Sequence, residues 1–150
     1  MNVYLAVDPG ADRGAAVFSE RGELLRTCLG NPPLAWHGAP VAVIIEKPFV
    51  YPSSKSKGSP NDLITLALLV GREIERWEPR GSKIILVTPV QWKGQLSKDT
   101  SHARLWASLN DREKEIVHQA GKGVAPSKRH NFLDACALGK WAFLEKKFPV

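Results

Sequence analysis

Cysteine is scarce in this 150-residue chain: only Cys28 and Cys136 occur, both in apolar surroundings. Two such residues argue against a disulfide framework or a cysteine-ligated zinc site and suit buried, reduced thiols. Long hydrophobic runs are also missing, because no apolar stretch approaches the roughly 20 residues needed to cross a bilayer. The N-terminus lacks the charged start and cleavage site of a secretory signal, so the expected location is the cytoplasm. Acidic residues are the minority charge, with 15 Asp and Glu against 21 Lys and Arg. The resulting net charge of +6 favours a polyanionic partner through Coulomb attraction and counterion release, although charge alone does not name it. No internal repeat appears, and a hydrophobic content of 43% with 24% charged residues fits one globular domain spanning residues 1–150.

Apolar, β-prone segments at residues 2–7, 14–18 and 23–28, separated by turn residues, predict a three-strand meander. Residues 30–40, rich in proline and glycine, predict a loop whose Trp36 and His37 cover an edge of the core. A buried strand at 41–45 follows, then a serine-, lysine- and proline-rich mobile loop at 51–60. Leu63, Leu66, Ala67, Val70 and Ile74 recur at helical spacing after a cap at Asn61 or Asp62, and residues 83–87 read as another buried strand. Residues 88–101 are expected to be mostly irregular, with a short helix starting near Thr100 or Ser101. Asp111 is the expected cap of a helix over 112–119, and a last helix covers about 131–146. Strands that precede and then alternate with helices predict an α/β fold with a mixed sheet.

Three acids stand out. Asp8 follows the apolar run Val3-Tyr4-Leu5-Ala6-Val7, Glu46 follows Val41-Ala42-Val43-Ile44-Ile45, and Asp134 lies among Phe132, Leu133, Ala135, Cys136, Ala137 and Leu138. Each has an ordinary explanation: a turn at Asp8-Pro9-Gly10, an ion pair of Glu46 with Lys47 or an arginine, a structural ion pair at Asp134. Together they supply the oxygen ligands that Mg²⁺ or Mn²⁺ prefers, and two such ions about 3.5–4 Å apart can hydrolyse a phosphodiester. His130 lies four residues before Asp134, about 40° around a helix and about 6 Å along it, so both can address one site. Asn131, three residues before, can face the same site. One of the two is expected to give a further metal or water contact.

Val7-Asp8-Pro9-Gly10 with Gly14, Ile44-Ile45-Glu46-Lys47-Pro48-Phe49, and His130-Asn131-Phe132-Leu133-Asp134-Ala135-Cys136-Ala137-Leu138 carry a likeness. In these motifs the chain resembles the RuvC-type Holliday junction resolvases, particularly the small phage versions, a branch of the ribonuclease H-like superfamily. The resemblance implies a ribonuclease H-like fold with a mixed five-stranded sheet flanked by helices, and a homodimer that resolves four-way DNA junctions by paired, metal-dependent nicks. It gives Asp8, Glu46 and Asp134 the first three catalytic and metal-binding roles. The family's fourth residue is an Asp or His three before the last Asp; here that residue is Asn131, and His130 is displaced by one. Phe49 takes the place of the aromatic that enters near the crossover.

Tyr51, Lys47, Lys55 and Lys57 accompany Phe49, and Lys93, Lys98, Lys122, Lys128 and Arg129 fall in segments read as irregular, where they can follow a phosphate backbone. The expected setting is the cytoplasm of a bacterial cell or a phage-infected host. The apolar residues on several faces of the 63–74 helix are compatible with a dimer interface or with burial under its own sheet. Competing readings are a less selective branched-DNA or RNA–DNA hybrid nuclease, a non-catalytic junction-binding protein, and an actin-like nucleotide-binding lobe; the last needs two lobes where this length supplies one.

Overall fold

The computed structural model describes residues 1–32, 38–50 and 59–149. The meander forms as β1 (Val3–Asp8), β2 (Gly14–Ser19) and β3 (Leu24–Leu29). β4 (Ala42–Glu46) and β5 (Lys83–Val87) complete a sheet of order β3-β2-β1-β4-β5. The pairs β1–β2 and β2–β3 are antiparallel, whereas β4 runs parallel to both β1 and β5. Parallel neighbours need a long crossover, which α1 (Pro60–Trp77) provides between β4 and β5.

Side-chain alternation explains the uninterrupted apolar runs. Val3, Leu5, Val7, Val43 and Ile45 face α1, meeting Val70 and Trp77, while Tyr4, Ala6, Phe18 and Ile44 face the opposite layer. That layer is built on α5 (Arg129–Leu144), with α2 (Pro89–Lys93), α3 (Lys98–Ser108) and α4 (Asp111–Gly121) around it. The central strands β1, β2 and β4 are covered on both faces and show no polar alternation, whereas residues 83–87, expected as a buried strand, form the edge strand β5, of which only Val87 is buried. Cys136 is fully buried in this layer, which pushes its thiol up to about 12, and neither it nor Cys28 forms a disulfide.

Two glycines set how closely α5 lies on the sheet. A Cβ on Gly14 would stand 1.9 Å from the carbonyl oxygen of Asn131, and one on Gly139 would stand 2.0 Å from the Phe18 ring. The helix therefore rests on β2 through backbone at one end and an aromatic face at the other.

The helix starts differ from the sequence expectation. α1 is capped by Ser59, not Asn61 or Asp62: the Ser59 hydroxyl accepts from the Asp62 N–H and the Asp62 carboxylate accepts from the Ser59 N–H, both at 3.2 Å. Residues 88–101, expected to be irregular, contain α2 and the start of α3. The Gln91 side chain caps Thr88 N–H at 2.8 Å with Pro89 at the first helical position, and Ser97 caps Thr100 N–H at 3.2 Å. Asn110, not Asp111, caps α4 in a reciprocal pair with Glu113. The last helix begins two residues earlier than expected and so includes His130. The readings at Trp36, His37 and the loop residues 51–58 lie outside the described residues.

In a helix interior Gly→Ala normally gains about 1 kcal/mol. Gly139→Ala is expected to do the reverse, lowering stability by about 1–3 kcal/mol through overpacking against Phe18, and Gly14→Ala to cost at least as much because the obstacle is backbone. Urea unfolding midpoints test both signs; a stabilised Gly139→Ala protein would show that the helix has room to move.

Candidate active site

The carboxyl ends of β1 and β4 lie side by side, because the two strands are parallel and in register from Tyr4–Ala42 to Val7–Ile45. That geometry delivers Asp8 and Glu46 to the same sheet edge. Asp8 pairs across the ladder with Gly14, the residue on which α5 rests, so the first turns of α5 bring Asp134 to the same place. Asp8, Glu46 and Asp134 line one cleft of about 360 Å³, and His130 and Asn131 line it too.

The acids are partly or fully shielded from water. Burial holds the Asp8 carboxyl well above its usual range, the charges of Glu46 and Asp134 raise it further, and Lys93 and Lys98 only partly oppose them. Glu46 is raised by burial first, countered by Lys93 and by a 2.6 Å hydrogen bond from Trp92 Nε1 to Glu46 Oε2. Asp134 is 7% exposed and accepts from His102 Nε2 at 2.8 Å. Among the described residues no three His, Cys, Asp or Glu side chains stand in a ready metal-coordinating group. Asp8, Glu46, Asp134 and His130 thus share the cleft without closing into such a group, and Glu46 and Asp134 each accept from a ring N–H.

The donor set nevertheless fits a divalent cation such as Mg²⁺ or Mn²⁺. The charges of Glu46 and Asp134 hold the Asp8 carboxyl up, and that of Asp134 does the same to Glu46, so a cation among these oxygens would relieve the crowding. The His130 ring adds a nitrogen: its Nδ1 lies 2.8 Å from the Ser127 carbonyl, which can only accept, so Nδ1 carries a proton and Nε2 of the neutral ring keeps a lone pair. The Asn131 amide instead donates to the Lys128 carbonyl at 3.2 Å, within its own helix start.

The expected phosphate-binding residues divide. Lys47, Phe49, Lys93 and Lys98 line the carboxylate cleft, with the Lys93 ammonium 5.3 Å from the Trp92 ring centre. Phe49 is 47% exposed. Lys93 and Lys98 do not lie in irregular chain, as expected, but end α2 and begin α3. Lys122 and Arg129 line a neighbouring cavity, and Lys128 pairs with Asp12 at 3.3 Å, so these three are not gathered at the carboxylates. Tyr51, Lys55 and Lys57 lie outside the described residues. Sequence reasoning missed Trp92 and His102. The Thr88-Pro89-Val90-Gln91 helix start signals the helix that carries Trp92, and the spacing of His102, Leu105 and Leu109 places a histidine on an inward stripe.

A raised folded-state value means that ionising Asp8 costs folding stability, a cost absent below the unfolded value and growing as pH rises toward the folded one. Asp8→Asn is therefore expected to unfold at higher urea than wild type at neutral pH in EDTA, with the gain vanishing in acid. A less stable variant at neutral pH would contradict the crowding of charge inferred for the cleft.

No protein-family model matches the chain, and no curated protein sequence matches it. Solved structures do match. T. thermophilus RuvC in complex with Holliday junction substrate superposes with a TM-score of 0.61 at 16% identity, covering 97% of this chain and 95% of that one. The fowlpox virus Holliday junction resolvase gives 0.57 at 14% identity, covering 97% and 99%. At such identities the likeness is one of fold: this chain has the α/β, ribonuclease H-like fold of the RuvC-type Holliday junction resolvases.

Proposed function

We propose that the protein is a divalent-metal-dependent endonuclease that resolves four-way DNA junctions as a homodimer. One observation carries the reading: Asp8, Glu46 and Asp134, from two strands and a helix far apart in sequence, share one cleft with Lys93 and Lys98. The fold likeness to two resolvases, one of them bound to a junction, supports the substrate class. Divalent cations bound there would supply an activated water and neutralise charge on the phosphoryl oxygens. Asp8, Glu46 and Asp134 would hold the cations, with the His130 Nε2 as fourth donor in preference to Asn131. Lys93 and Lys98 would bind the phosphate, and Phe49, on the cleft wall, would stack on an unpaired base.

A junction is nearly two-fold symmetric, and paired nicks need two sites. Ile64 and Leu68, one turn apart on α1, are 59% and 67% exposed, while Val70 and Trp77 of the same helix are buried against the sheet. We assign the exposed stripe to contact with a second copy.

The test is cleavage of an immobile four-way junction beside linear duplex and RNA–DNA hybrid, with Mg²⁺, Mn²⁺ or EDTA. Paired metal-dependent nicks on the junction, reduced more than about a hundredfold in Asp8→Asn, are expected, since losing a direct ligand should exceed the 10–100-fold typical of outer contacts. Binding without cleavage in either metal would overturn the enzyme reading, and preferential hybrid cleavage would overturn the substrate. Ile64→Lys with Leu68→Glu is expected to give a monomer by light scattering that no longer makes paired nicks; a variant that stays dimeric would move the interface elsewhere.

A further inference from the structure

We propose that His102 is a positioning residue of this site: its Nε2–H holds one oxygen of Asp134 and so fixes which oxygen that carboxylate offers to a divalent cation. The inference rests on the metal-dependent reading above and deepens it.

The two residues lie 32 positions apart, on α3 and α5, and meet at 2.8 Å through His102 Nε2 and Asp134 Oδ1. A carboxylate oxygen at this place accepts, so the ring nitrogen donates, whether the imidazole is neutral or charged. The Asp134 side chain is only 10% exposed and that of His102 21%, so water competes weakly for either end of the bond. A free aspartate turns easily about its last torsion, which is broad and two-fold. Tying Oδ1 to His102 removes that freedom and leaves Oδ2 for the cleft that Asp134 shares with Asp8 and Glu46.

The neighbours of His102 hold it in place. Ser101 and Leu105 of α3 are buried, Leu105 joins Phe132 and Ala135 of α5 in one core, and the His102 ring forms part of the wall of the adjoining cavity of about 340 Å³. A histidine seated by such packing aims its donor more narrowly than a lysine on a flexible stem would. Glu46 has the parallel arrangement, one oxygen accepting from Trp92 Nε1 at 2.6 Å. Two acids on two elements are thus each held through one oxygen by a ring N–H from the α2–α3 segment.

The measurement is Mn²⁺ affinity of the full, DNA-free chain, read by electron paramagnetic resonance of free Mn²⁺, for wild type, Asp8→Asn, Asp134→Asn, His102→Ala, His102→Gln and His102→Ala combined with Asp134→Asn. His102→Ala is expected to weaken Mn²⁺ binding about 10–100-fold, the usual effect of losing an outer contact to a ligand. His102→Gln, whose amide N–H reaches about as far as Nε2, should restore most of it, and His102→Ala should have no further effect once Asp134 is Asn. If the alanine variant fails to fold, His102→Asn, too short to reach Asp134, gives the same contrast with His102→Gln. Wild-type affinity in His102→Ala or in the folded His102→Asn, or a full additional loss in the Asp134→Asn background, would overturn the positioning role while leaving the metal reading intact. A wild-type chain that binds Mn²⁺ no better than Asp8→Asn would overturn the metal reading and this inference with it.

Discussion

The contact between the backbone of α5 and Gly14 of β2 is the constraint on which the rest of this protein hangs. Where any other residue would carry a Cβ, the carbonyl oxygen of Asn131 already sits, 1.9 Å from that position. Gly14 is also the ladder partner of Asp8. One rung of the sheet therefore holds a cleft acid on one strand and the seat of a helix on the next, and Asp134 lies one turn along that helix. At the far end Gly139 rests against Phe18 and closes off any sliding of the helix away from the sheet. The distance between Asp8 and Asp134 is fixed by main-chain contact, which is less adaptable than a contact between flexible side chains.

Burial has opposite consequences for acids in different places. Glu113 is 3% exposed, and burial alone would raise its carboxyl, yet it ends below the ordinary range because Lys140 and the N–H groups of Leu24 and Asn110 all donate to it. Glu73 is similarly enclosed, bound by Arg13 and by Trp77 Nε1 at 3.1 Å. These carboxylates are satisfied and join α4 and α1 to the sheet. Asp8 is enclosed too, but the charges that act on it most strongly are two more acids, and Lys93 and Lys98 do not offset them. Enough donors stabilise a buried carboxylate, and their shortage leaves one poised to accept a proton or a cation. The contrast between Glu113 and Asp8 separates structural acids from the cleft acids more sharply than burial does.

Much of the fold was legible because the central strands are covered on both faces and the edge strands are still apolar: five such segments at β-like lengths match five strands within one or two residues. The three acids were legible for the same reason, since a charge ending an apolar run has few places to go but a strand end. Helix starts were less legible. The apolar periodicity that marks a helix begins a turn after its cap, so Ser59, Ser97 and Asn110 were passed over in favour of residues inside the first turn. The short α2 has too few residues for periodicity to register, and its capping pair was the only local sign. His102 was beyond local reading, because its partner lies 32 residues away and only the packing of α3 on α5 brings them together. The basic residues before α5 divide likewise by packing: Lys122 and Arg129 line the cavity beside the cleft and not the carboxylate cleft itself.

The same helical geometry bears on the departure from the resolvase pattern at Asn131. Positions three and four before Asp134 lie about 60° to one side of it and about 40° to the other, so both border the cleft and neither is excluded by direction. Hydrogen bonding separates them. The Asn131 side-chain N–H donates to the Lys128 carbonyl, so turning that amide toward a cation would cost the bond, while its main-chain carbonyl stays against Gly14 whichever way the side chain points. The His130 bond to Ser127 has the reverse effect: it holds the ring, fixes the proton on Nδ1 and leaves Nε2 as a donor of electron pairs. A ring moved by one residue along a helix could still serve where the helix start supplies the carbonyl that orients it, as the Ser127 carbonyl in the turn Pro126–Lys128 does for His130.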